Sequence, residues 1–403
     1  MTDGASSAPA ASPKALVISA CLPPMASGSA KMMRNLLGPF PRGSLVFLRG
    51  NNPMFRLGQE ADLGPVEVAD LPKILRRHSF RISLPSWLEY LWAPAIGRRA
   101  AALARRGKVV SIFANYPFGY YLVAAWIAAR RVGVPLLVYM HSLWEETPPS
   151  AADRIFARLL EGRIFRDAAA VYVPTEAAAA HYRAKHGIAP RLLPHAVNLA
   201  DGAPGEPPAA PRAPGAPRTI LFTGGVYHMN RDALQAMVRT VEKMAIAPGE
   251  PEIRLLVCAP NDPDSLARLG IAGARTEVRS VDTATAMRMQ READLLYLPL
   301  AFDTPWRDEI RTVFPTKAVE YFVSGKPILL HAPADCFTVE DTRRFGWAYV
   351  VDTLDPASLD AAIRRLLSDA PLRAALVRGA RAAAASRDAK AIAAGLARDL
   401  GLA

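Results

Sequence analysis

The chain is poor in cysteine and has no long apolar run. Cys21, Cys258 and Cys336 are the only cysteines in 403 residues, and their spacing suits neither a disulfide framework nor a metal site. A reducing compartment fits them. Apolar runs stop near about ten residues, as in YYLVAAWIAA before Arg130, whereas a membrane span needs about 20. The opening residues, MTDGASSAPAASPK, lack the basic region and apolar core of a signal peptide. The expectation is a cytoplasmic protein, soluble or peripheral to a membrane. Also missing are a G-x-G-x-x-G fingerprint, a P-loop, H-E-x-x-H and G-x-S-x-G. No metal site is expected.

Acidic residues are outnumbered, 37 against 49 basic ones, for a net charge of +12. Such an excess favours acidic partners such as nucleotide phosphates or anionic lipid head groups, or reflects a basic proteome. Just over half of the residues are hydrophobic (51%), enough for a sizeable core. The length suggests two domains of about 200 residues.

Short apolar runs alternate with helical patterns. Residues 15–21, 44–50, 109–114, 135–141 and 170–175 read as strands covered on both faces. A helix over 120–132 ends at Gly133. Residues 200–217, ADGAPGEPPAAPRAPGAP, supply no core and read as a linker. Alternation then restarts, with strands at 218–225, 253–260, 294–300 and 327–332. The expected organisation is a tail (1–14), a first doubly wound domain (15–199), the linker, a second such domain (218–384), and a terminal helix (385–403) returning to the first. Two such domains would face each other across a cleft at the carboxyl ends of their strands.

The segment TVFPTKAVEYFVSGKPILL, residues 312–330, carries the most chemistry. Phe314-Pro315 closes a loop, Thr316 is the expected N-cap, and a short helix from Lys317 stops at Gly325. Its N-terminus and Lys317 suit a pyrophosphate, and Glu320 suits a ribose diol. An ordinary capped helix with solvated Lys and Glu is the other reading.

The phrase FPTKAVEY-x-x-x-GKPIL resembles the sugar-nucleotide segment of retaining glycosyltransferases of the GT-B fold, related to glycosyltransferase family 4 and group 1. That family's usual form is a Glu, seven residues, then a second Glu. Glu320 matches the second, implied to bind ribose. Thr312 stands where the first, a sugar contact, is usual, so Asp308 or Glu309 is a candidate substitute. LFTGGVYHMNRDAL resembles the family's Gly-rich turn. It implies that Gly224 and Gly225 admit the donor diphosphate and that Arg231 supplies a cation, although Val226 replaces the common Arg. VGVPLLVYMHSLWEE places His141 at a strand end, as a sugar contact or as a structural histidine. PPMASGSAKMMRNLL resembles the loop after the first strand, with Gly28 and Ser29 near the donor diphosphate or the acceptor, or in a plain turn.

The resemblance implies a transferase that needs no cofactor beyond its co-substrate, a UDP- or GDP-linked sugar. Donor contacts fall to Gly224, Gly225, Arg231, Thr312, Phe314, Pro315, Thr316, Lys317 and Glu320, and catalytic roles to His141 and Glu309. Acceptors in the family are glycans or lipid-linked sugars, in polysaccharide biosynthesis. A degenerate sugar-binding or partner subunit, a sugar-nucleotide epimerase and an inverting enzyme are the alternatives. Residues 73–108 carry nine basic residues against Glu89, interleaved with Trp87, Tyr90 and Trp92. They suit an anionic membrane at the inner face of the plasma membrane, or a solvated helix whose tryptophans are core. No nucleic-acid module is present, so nucleic acid is not an expected partner.

Overall fold

The computed structural model describes residues 12–25, 27–50, 63, 66–69, 87–147, 150–202 and 215–403. The tail to residue 11, positions 73–86 of the basic stretch and positions 203–214 of the expected linker lie outside the described residues.

Contacts divide the chain into two units, Met1–Tyr172 with Ala393–Ala403, and Val173–Ile392. The first sheet contains β1 (Lys14–Ser19), β2 (Leu45–Gly50), β3 (Val66–Ala69), β4 (Val109–Tyr116), β5 (Leu136–Met140), β6 (Ala170–Val173) and β7 (Arg191–Leu192). Their order is β3-β2-β1-β4-β5-β6-β7, and the pairs from β3 to β6 are parallel. Central strand β1 is buried at every residue after Lys14, as a strand covered on both faces must be. Val17 lies level with Phe47 on one side and Phe113 on the other.

The second sheet contains β8 (Arg218–Thr223), β9 (Ile253–Cys258), β10 (Thr276–Arg279), β11 (Leu295–Pro299), β12 (Ile328–His331) and β13 (Tyr349–Val351). Its order, β10-β9-β8-β11-β12-β13, repeats that of the first sheet, and its pairs are parallel. Each sheet therefore reverses its strand order beside its first strand, between β1 and β4 and between β8 and β11. Ligands of doubly wound sheets bind outside the carboxyl ends of strands at such a reversal.

Every strand expected from the sequence is present, with ends moved by a residue or two. The unexpected strands β3, β7, β10 and β13 are the sheet edges. These strands are short, two to four residues each, so none carries a long apolar run. β10, TEVR, mixes buried and exposed residues.

Helix packing in the first unit depends on close backbone approach. Helices Trp87–Gly107 and Gly119–Val132 meet at Gly97, where a Cβ would stand 2.9 Å from the Ala124 carbonyl oxygen. Gly133 closes the second of these helices with φ 80°, a left-handed conformation that favours glycine.

Residues 173–199, assigned to the first half by sequence pattern, pack with the second unit. The reason is a set of hydrogen bonds. Thr175 Oγ1 donates to the Thr312 carbonyl at 2.7 Å. Val197 N donates to the Arg387 carbonyl at 2.8 Å, and Ala389 N to that of Val197 at 2.9 Å. The closing helix, Ala389–Asp399, begins in the second unit and ends in the first. There Ser111 Oγ donates to the Leu400 carbonyl at 2.8 Å and the Tyr172 hydroxyl to Asp399 at 2.5 Å.

A buried ion pair holds the second unit's aromatic core. The Arg387 guanidinium bonds Asp341 and lies 4.7 Å from the ring centre of Phe314. Asp341 also accepts from Trp347 Nε1 at 2.9 Å. Removing one partner of such a pair leaves an uncompensated buried charge. Asp341→Ala should therefore lose about 3–5 kcal/mol of stability, and Asp341→Ala with Arg387→Met should recover much of it. Urea denaturation of the three proteins checks this. A single variant as stable as the parent would show that the pair is dispensable.

Candidate active site

The carboxyl end of β8 builds a compact polar group. Thr223 ends the strand, and Gly224 turns away with φ 145°, where a side chain would be strained. A Cβ on Gly224 would touch Lys317 Cε at 3.6 Å, so the glycine turn lies directly against that lysine. Lys317 Nζ donates to both oxygens of Glu320, at 2.9 and 3.0 Å. Glu320 is 8% exposed, so its charge needs these partners. This geometry differs from that of solvated surface residues.

Two asparagines hold the turn. Asn261 accepts from Val226 N at 2.9 Å and donates to the Val226 carbonyl at 3.0 Å. Asn230 accepts from Tyr227 N at 3.1 Å and donates to the Gly225 carbonyl at 3.0 Å. Arg231 opens helix Arg231–Lys243 directly after the turn. Loss of water and then the charge of Arg231 push His228 down to about 4, so His228 is neutral at pH 7.

The helix of the donor-like segment spans Thr316–Phe322, with Pro315 as its N-cap and Thr316 as its first residue. The expected cap at Thr316 is thus one residue late, because Pro315 already holds extended geometry (φ −63°, ψ 131°). Phe314 stands apart from the polar group. It is 3% exposed and packs against Phe322, Phe337 and Trp347 in the core. Its apolar ring is better placed there than against a polar ligand.

Asp308, Glu309 and Thr312 lie on a short helix, Arg307–Thr312. Thr312 turns its hydroxyl back onto the Asp308 carbonyl at 2.9 Å. Asp308 is exposed and pairs with Arg311 at 3.8 Å. Glu309 is buried, 4% exposed, and its charge is felt at Tyr227 on the glycine turn. The helix thus separates the two adjacent acids, burying Glu309, to which the resemblance gave a catalytic role, and exposing Asp308.

In the first unit, Gly28 begins helix Gly28–Leu37, capped by Ser27, whose side chain accepts from Ala30 N. Ser29 lies in the first turn, its Oγ 3.4 Å from His141 Nε2, just past the end of β5. Two separately expected residues therefore meet. The His141 Nδ1 atom lies 3.5 Å from Ser142 Oγ. Among the described residues, no group of three or more His, Cys, Asp or Glu is placed to hold a metal ion. Nor is any described helix long and apolar enough to cross a membrane.

Sequence reasoning missed Asn261 and Gln290. Gln290 Nε2 lies 2.9 Å from Thr223 Oγ1 and 3.4 Å from Glu320 Oε2. Neither residue belongs to a local motif.

Comparison with known proteins agrees with this arrangement. Residues 42–196 match the Glycosyl transferase 4-like domain, and residues 217–369 match the Glycosyl transferases group 1 family. Among solved structures, the chain is similar to sucrose-phosphate synthase from Thermosynechococcus elongatus (TM-score 0.67, 17% identity, covering 96% of this chain and 98% of that one). It is also similar to Anabaena HepE in complex with UDP-glucose (0.65, 14%, 96% and 99%). A third is an α,α-trehalose-phosphate synthase (UDP-forming) from Burkholderia vietnamiensis (0.64, 16%, 97% and 98%). At these identities the likeness is one of fold. No curated protein matches the chain in sequence.

Burial pushes His141 from 6.5 down to about 4. The unfolded chain then takes up this proton first as pH falls. The stability linked to His141 is complete above 6.5 and is lost as pH drops towards about 4. Imidazole NMR should show His141 neutral at pH 6, and His141→Asn should flatten this part of the stability profile. A His141 signal titrating near its ordinary value would refute the assignment.

Proposed function

This chain belongs to the group 1 glycosyltransferases of the GT-B fold, and we propose that it moves a sugar from a UDP- or GDP-linked donor to a glycan or lipid-linked acceptor, with retention. The observation that carries the reading is the pair of half-buried Lys317 and buried Glu320, with Lys317 lying against Gly224 at the end of β8. In this reading Glu320 accepts from the ribose diol. Lys317 is long enough to serve the diphosphate from the same place, and the backbone of Gly224 and Gly225 lets phosphate approach closely. Arg231 adds positive charge. The similarity to HepE, whose structure holds UDP-glucose, supports a uridine donor.

The bond between the sugar's anomeric carbon and the leaving phosphate breaks, and a bond from the acceptor oxygen forms on the same face. The departing phosphate takes the acceptor's proton. Lys317, Arg231 and the turn's N–H groups stabilise the charge left on that phosphate. Glu309 rather than Asp308 or Thr312 is the carboxylate assigned to the sugar, because it is buried and coupled to the turn through Tyr227. His141, neutral at pH 7, is suited to accept from an acceptor hydroxyl.

The first unit also offers a surface for anionic lipid. Trp87, Leu91 and Trp92 are exposed, so these tryptophans are not core, and Arg98, Arg99, Arg105 and Arg106 are exposed along the same helix. Aromatic and basic side chains together suit a charged bilayer interface. This surface would bring the enzyme to a lipid-linked acceptor.

Glu320→Ala should weaken UDP or GDP binding by about tenfold or more, the loss of a charge-assisted hydrogen bond. Glu309→Gln should lower turnover while sparing nucleotide affinity, and Asp308→Asn should change neither. Calorimetry and steady-state transfer across a donor panel check these outcomes. Unchanged nucleotide affinity in Glu320→Ala would remove the ribose assignment, and full turnover in Glu309→Gln would remove the sugar assignment. For the surface, co-sedimentation should favour anionic over neutral vesicles and weaken with salt. Equal, salt-independent binding to both would contradict the electrostatic reading.

A further inference from the structure

We infer that Gln290 is a positioning residue that aims the Glu320 carboxylate, and that through it the site tells ribose from 2′-deoxyribose. The inference rests on the reading above, in which Glu320 takes the ribose diol.

Gln290 lies near the end of helix Thr283–Glu292 and is the buried residue of that helix, 2% exposed. A buried amide is costly unless it is hydrogen-bonded. A carboxylate accepts and cannot donate, so the NH₂ group, not the carbonyl, must face Glu320 Oε2. The same nitrogen reaches Thr223 Oγ1, so both of its hydrogens are committed.

That choice orders the rest of the group. Thr223 Oγ1 accepts from Gln290, and its own hydrogen is free to go to the Tyr321 hydroxyl at 3.2 Å. The Tyr321 oxygen also accepts from Thr223 N at 3.0 Å, and its hydrogen goes to the Tyr297 carbonyl at 3.4 Å. One direction of donation therefore runs from Gln290 to the floor of the sheet. The carboxylate is tied at Oε2 to the end of β8.

The tie matters because Lys317 also bonds both Glu320 oxygens, and the lysine is the group assigned to phosphate. A carboxylate held by the lysine alone would be free to rotate when the ammonium moves. Gln290 fixes its plane independently, so that two oxygens can meet two adjacent ribose hydroxyls. The titratable and charged groups around the amide are Glu320, Lys317 and Tyr321, with Cys258 beyond them at the end of β9. Burial raises Tyr321 and pushes Cys258 up to about 11, so neither titrates near neutral pH.

The test compares UDP with 2′-deoxy-UDP by calorimetry in the parent, Glu320→Ala, Gln290→Met and Gln290→Glu proteins, with thermal unfolding as the check on folding. The parent should prefer UDP by about tenfold, and Gln290→Met should cut that preference below about threefold, as Glu320→Ala does. In Gln290→Glu two carboxylates share the space, and one holds a proton at neutral pH. Relative to the parent, whose profile carries the titration of UDP's own terminal phosphate, UDP affinity in that variant should fall as the proton leaves, from about pH 6 to 8. A merely structural role would weaken both nucleotides alike at every pH. If Glu320→Ala abolishes the preference while both Gln290 variants keep the parent's preference and pH profile, the inference is overturned. If Glu320→Ala keeps the preference, the ribose reading itself fails, and the inference with it.

Discussion

A carboxylate taken out of water must be compensated, and the site at the end of β8 is organised around that requirement at Glu320. Lys317 supplies the opposite charge from one turn earlier in the same helix. Gln290 supplies a neutral donor from another helix, and Thr223 ties that donor to the sheet. Each partner comes from a different element, so the group forms only when strand, turn and both helices are in place. The same condition makes it suited to binding. A buried charge with fixed partners presents its oxygens in one orientation, which a solvated glutamate does not.

The approach to that site is held by aromatic packing together with a hydrogen bond from Thr175. Phe314 sits directly ahead of Pro315 and the short helix. Its ring is clamped between other aromatics and the Arg387 guanidinium. Thr175 holds the Thr312 carbonyl on the other side of the same segment. The start of the helix is thus set by residues from both ends of the second unit. Moving any of them would displace Lys317, although none of them is placed to touch a ligand.

Neighbouring acids show how burial assigns roles. Asp308 and Glu309 are adjacent and chemically alike. On a helix they point in different directions, one to solvent and Arg311, the other into protein near Tyr227. Thr312, on the same helix, spends its hydroxyl on that helix.

Sequence by itself determined the two doubly wound sheets and the segment from Phe314 to Glu320. Interior strands of parallel sheets must be apolar on both faces, and Gly-Gly, Pro-Thr-Lys and Gly-Lys-Pro mark turns whose backbone chemistry is local. The edge strands escaped because each is only two to four residues long, too short for a pattern. Tertiary structure alone brought Gln290, and through it Thr223, to Glu320, because both are far from it along the chain and share no motif with it. It decided that Phe314 belongs to the core and that Glu309, not Asp308, is buried, since burial depends on what packs against a helix. It also decided that residues 173–199 join the second unit. The bonds that hold them there, from Thr175 and Val197 to Thr312, Arg387 and Ala389, span distances that no local pattern encodes.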